Sequence, residues 1–153
     1  MQRTTPGTLV LWATAGTLLG VVVDVLLESQ GLALPGQPWF AIIGMLILSA
    51  VLLVLGYPIK RWNDGDRTRE IDPLQAARVA VMAKASALTG AGLAGWYVGN
   101  AAYYFLSAPG IRNDLAAGML LAMVAAAALM IVGIIVEIFC TLPPQDPPGA
   151  EAA

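Results

Sequence analysis

Four long apolar blocks, each nearly free of charge, dominate this chain, and seven of its eight Lys and Arg residues fall on one side of them. Arg3, Lys60, Arg61, Arg67, Arg69, Arg78 and Lys84 precede the first block or lie between the second and third, and only Arg112 lies elsewhere. A protein threaded through a bilayer keeps its short basic loops in the cytoplasm. The pattern therefore sets class, span number and orientation, while naming no reaction.

The spans are placed by their stops. The first runs from about residue 8 to 27, after Thr5-Pro6-Gly7. The second runs from about 39 to 57, between Pro38 and Pro58. A third helix starts at Asp72-Pro73, with Asp72 as cap and Pro73 in the first turn, and stays helix-compatible to about residue 106. At ~1.5 Å per residue that is too long for one crossing. Its crossing is read as about 85–106, with 58–84 forming a cytoplasmic loop and helix extension. The fourth runs from about 115 to 139, capped by Asn113 or Asp114 and stopped by Pro143-Pro144. Segments of ~20 apolar residues cross the hydrocarbon layer, and helices satisfy their own backbone there.

Four spans put both termini on the side of the basic loop, the cytoplasm. Trp39, Phe40, Tyr103, Tyr104 and Phe105 then mark the outer boundary, and Trp12, Tyr57, Trp62 and Phe139 the inner one. The first block is read as an anchored helix rather than a cleaved leader, because Asp24 and Glu28 interrupt the approach to any cleavage site near Gly31.

Composition narrows function. Of the 153 residues, 58% are hydrophobic and only 12% charged, too few to coat a water-soluble domain. No histidine is present, which removes the commonest general base and metal ligand. The single Cys140 can form neither an internal disulfide nor a multi-thiolate site. The basic residues form no extended stripe, so no nucleic-acid partner is expected. No catalytic group, cofactor or metal site is expected either. The turn Asn63-Asp64-Gly65-Asp66 resembles a metal-binding DxD, but no second acidic cluster follows, and Asn-Asp-Gly is what a tight turn requires. The tail 141–153, with four prolines and no basic residue, is expected to be disordered.

Three acidic positions carry the remaining interest. Asp24 lies deep in the first span and should face the bundle, with Asn100 and Tyr103 of the third helix at a similar depth. It reads either as a hydrogen-bonded clamp between helices or as a proton or cation site. Glu137, near the inner end of the fourth helix, is expected to pair with Lys84, and less closely with Arg78, as an inner ion pair. Glu28 is expected to be interfacial and solvated.

Small residues recur in helical register. Gly16 and Gly20 form one GxxxG pair, and Ala87, Ala91, Gly95 and Gly99 recur every four residues in the third helix. Such stripes let helix backbones approach where the hydrophobic effect cannot drive association. They read as internal packing or as a docking face for another membrane protein or a second copy.

The third helix also carries a resemblance. Asp72-Pro73-Leu74-Gln75-Ala76-Ala77-Arg78, Ala83-Lys84-Ala85-Ser86-Ala87-Leu88 and Gly95-Trp96-Tyr97-Val98-Gly99 resemble the core of a small actinobacterial membrane family, domain of unknown function 3180. The ending Val136-Glu137-Ile138-Phe139-Cys140-Thr141-Leu142-Pro143-Pro144 is similar to that family's close. The resemblance implies a plasma-membrane protein with no assigned activity, in which Arg78, Lys84 and Glu137 are family-pattern charges.

The expectation is an all-α polytopic protein, four transmembrane helices in a compact bundle with both termini cytoplasmic. Its expected role is a non-enzymatic accessory or scaffold packing through small-residue faces. The alternative is a small transporter or channel component using Asp24 and Asn100 in a polar cavity. The bilayer is its expected partner, together with another membrane protein or a homo-oligomer.

Overall fold

Each apolar block becomes a helix, and one of the four, the second, outruns the stop marked in the sequence. The computed structural model describes residues 4–63, 73–107 and 110–140. Within them lie α1 (Pro6–Ser29), α2 (Trp39–Asn63), α3 (Pro73–Ser107) and α4 (Asn113–Phe139). The Asp64–Asp66 part of the acidic turn, Arg3, Arg67, Arg69, the Asp72 cap and the tail 141–153 lie outside the described residues. Three helices, α1, α2 and α4, are long and apolar enough to cross a membrane.

Local chemistry explains most boundaries. Pro6 opens α1, with Thr5 as its cap residue, and the Thr5 carbonyl accepts from Thr8 and Leu9. The C-terminus of α1 is a Schellman turn. Gly31 takes φ +68°, its N–H donates to Glu28 O at 3.0 Å, and Leu32 N–H donates to Leu27 O at 2.9 Å. The start of α4 corrects the sequence reading: neither Asn113 nor Asp114 caps it. The helix begins at Asn113, no side chain caps it, and Asn113 Oδ1 accepts from Gly110 N–H instead. Asp114 sits in the first turn, where a carboxylate complements the helix dipole.

Pro58 does not end the second helix as expected; α2 runs through it to Asn63. Proline removes one intrahelical hydrogen bond. The continuation buries Ile59 in the core and places Lys60 Nζ 5.1 Å from the centre of the Phe139 ring.

The helices pack in the order α1, α3, α4, α2. α1 packs on α3 alone, α3 on α1 and α4, and α2 on α4 with a slight contact to α3. α3 and α4 thus form one tight hairpin, and α1 and α2 flank it on opposite sides. This replaces the expected compact bundle with an open row. Joining its two flanks takes a long connector. Nine residues, 30–38, can span at most ~30 Å, about three interhelical steps of ~8–10 Å. The connector runs over the ends of α3 and α4. Tyr104 Oη donates to Pro35 O at 3.1 Å, and Gln37 Nε2 donates to Asp114 O at 3.3 Å.

Glycine decides how close the helices come. A methyl group added at Gly95 would lie 1.9 Å from Ala13 O, and one at Gly16 would lie 2.1 Å from Gly92 O. The α1–α3 seam is therefore backbone against backbone. Between α3 and α4, Gly90 meets Ala126 and Met130, and Gly133 meets Ala83 and Ala87. The predicted stripe thus divides. Gly95 and Gly99 face α1, whereas Ala87 faces α4. Each four-residue step turns about 40° around a helix axis, so three steps turn about 120°. Ala91, between them, is buried.

Tyr104, Leu52, Met119, Leu129 and Val136 fill the core. Large apolar side chains cover the outside, with Phe40 93% exposed, and such a surface suits lipid as solvent. The central helix α3 is the one that does not qualify as a span by composition. Its neighbours on both sides are protein, so its small and polar residues need not dissolve in lipid.

Candidate functional site

α1 and α3 run parallel, because Gly16 meets Gly92 and Trp96, and Gly20 meets Trp96 and Asn100. This register builds the candidate site at the level of Asp24. Asp24 is fully buried, and its Oδ1 has no hydrogen-bond partner among the described residues. Asn100 is also buried, but its amide turns to its own helix. In the orientation that satisfies both groups, it donates to Trp96 O at 3.1 Å and accepts from Trp96 Nε1 at 3.1 Å. Tyr103 goes elsewhere too: its hydroxyl donates to Glu28 Oε2. Asp24, Asn100 and Tyr103 therefore share a depth without forming one hydrogen-bonded cluster.

The sequence reading missed the cluster above Asp24. Glu28, read as solvated, accepts from Arg112 Nη2 at 3.0 Å as well as from Tyr103. Arg112 also donates to Ser107 Oγ at 3.0 Å. The Glu28 hydrogen bond holds the Arg112 guanidinium above its ordinary range. The signal was present: Arg112 is the one cation off the basic side of the spans, but only the packing names its partner. Tyr104, expected in an outer aromatic belt, is instead fully buried and anchors the connector through Pro35.

At the opposite end, Thr4 N–H donates to Glu137 Oε1 at 2.9 Å and Thr4 Oγ1 donates to Oε2 at 2.5 Å. The end of α4 thus holds the chain entering α1, although the two helices do not pack. Lys84 is half-buried at this end, bracketed by Ala83 and Ala87, which meet Gly133 one turn before Glu137. Arg78 is exposed. The helix-packing residues Gly16, Gly20, Gly95 and Gly99 are covered within the chain, so they offer no free face.

Residues 9–144 match the family model described as "Protein of unknown function (DUF3180)". The chain belongs to this family. The matched span takes in all of α2, α3 and α4 and most of α1, and so every residue of the candidate site in this DUF3180 chain. No curated protein and no solved structure matches it. Among the described residues of this DUF3180 member, no three His, Cys, Asp or Glu side chains gather as metal ligands would.

Proposed function

We propose that this DUF3180 chain is a non-enzymatic accessory or scaffold protein of the plasma membrane, crossing it four times with both termini in the cytoplasm. One observation carries the reading: apart from Asp24, the polar side chains of the site are spent within the fold. Glu28 of α1 joins Arg112 and Tyr103, Glu137 of α4 holds Thr4 before α1, and Asn100 is satisfied by Trp96 of its own helix. The orientation is supported by Lys60, Arg61, Arg78 and Lys84, which lie toward the Thr4–Glu137 end, with Arg112 at the other. The fourth crossing is supported by α3, which runs in register with α1 from Gly92 to Tyr103.

Since the glycine seams are used internally, the partner face under this reading lies on α2. Phe40, Ile47 and Val54 repeat at seven-residue spacing and are exposed, and a methyl added at Gly44 between them would meet nothing within 4 Å. Crosslinking in native membranes followed by mass spectrometry tests this. A specific partner captured by the wild type and lost on Gly44→Leu supports it; capture unchanged by that substitution removes the α2 face.

A second reading, a small transporter or channel component, is favoured by Asp24 alone. Its buried, unpartnered oxygen is costly unless used. Ion flux into vesicles that is lost on Asp24→Asn would select this reading over the scaffold.

A further inference from the structure

The surroundings of Asp24 differ along the helix axis. Toward the Thr4 end the α1–α3 seam is shut. A methyl at Gly20 would lie 2.6 Å from Trp96 O, and one at Gly16 would lie 2.1 Å from Gly92 O. The Asn100 amide is already engaged with Trp96. Toward the other end the next turn is polar. It holds Glu28, the Tyr103 hydroxyl and Arg112, with Glu28 and Arg112 still 42% and 25% exposed. Of the described helices, only α3 packs on α1. Among the described residues, the titratable and charged groups facing Asp24 are therefore Glu28 on its own helix, Tyr103 and Tyr104 on α3, and Arg112 on the α3–α4 turn.

We propose that Asp24 is a proton-binding site that opens only toward the Arg112 end, with the Arg112–Glu28–Tyr103 cluster as its cover. Its ligand is a proton rather than a metal ion. A hard cation needs about six oxygen ligands, and here the one neighbouring amide is already paired. Binding is one step: a proton from water adds to the Asp24 carboxylate to give the neutral acid, and no other bond forms or breaks. The neutral acid is the form that a buried carboxyl with an unpartnered oxygen favours. The site is shared with the transport reading, but flux is not required. Proton binding without flux would sink transport and leave this inference standing.

Infrared spectroscopy of the protein in lipid vesicles tests it. The carbonyl stretch of a protonated aspartic acid should be present within about pH 5 to 9, grow as pH falls, and be absent in Asp24→Asn. On transfer to heavy water its isotope shift should be slow, and several-fold faster in Arg112→Gln, which loosens the cover. If Asp24→Asn fails to fold, isotope-labelled aspartate in the wild-type chain assigns the band. No such band anywhere across about pH 5 to 9 would overturn the site. Exchange at equal rates in wild type and Arg112→Gln would overturn the cover.

Discussion

Arg112 Nη2 lies 3.0 Å from Glu28 Oε1, joining the turn before α4 to the end of α1 across 84 positions of sequence. Tyr103 and Ser107 of α3 complete the cluster. The pair is partly exposed, so its effect on stability should be modest and should fall as salt rises. Glu28→Gln and Arg112→Gln should each lower the melting temperature slightly in detergent, with less effect at high salt. The charge-swapped pair Glu28→Arg with Arg112→Glu should recover part of the loss. No coupling in that double-mutant cycle would show that the contact contributes nothing.

The glycine seam makes a sharper claim. A methyl at Gly16 or Gly95 meets backbone rather than a movable side chain, so α1 and α3 must separate. Gly16→Ala and Gly95→Ala should each destabilise by at least the ~1–3 kcal/mol typical of overpacking. Gly44→Ala faces open space and should be neutral or gain up to ~1 kcal/mol from helix propensity. Unfolding by denaturing detergent, followed by circular dichroism, reads all three. Equal effects would mean that the seam is looser than described.

Glu137 holds the entry to α1 through Thr4 N–H and Oγ1. Glu137→Ala should raise hydrogen exchange at the Thr4 amide and proteolysis near the N-terminus. Thr4→Val, which keeps the N–H bond, should do so less. Protection unchanged in Glu137→Ala would show that the bond is not maintained in lipid.

Cys140 follows α4 at the Glu137 end and is half-buried, which pushes its thiol above its ordinary value. The thiolate is the reactive form, so maleimide labelling should be slower than for a free thiol at neutral pH and should rise as pH increases. Under the proposed orientation, an impermeant maleimide should label inside-out vesicles and not intact cells. Labelling of intact cells would reverse the topology.

What the residues determined alone was the set of helices. Apolar length and the Pro, Gly and Asn stops are local properties, and they put α1, α3 and α4 within about two residues of where they lie. Pro58 was the exception, because burial of Ile59 one residue later outweighs a lost hydrogen bond, and burial is not local. Charge spacing likewise marked the two ends of the molecule. The three-dimensional packing decided the rest. Which glycine faces which helix depends on a rotation that accumulates along α3, splitting one apparent stripe between α1 and α4. The partners of Arg112, Glu28, Asn100 and Glu137 depend on the order α1, α3, α4, α2, which places residues far apart in the chain at one depth. A one-dimensional pattern carries depth but not neighbours, so it picked out Asp24 and could not say what surrounds it.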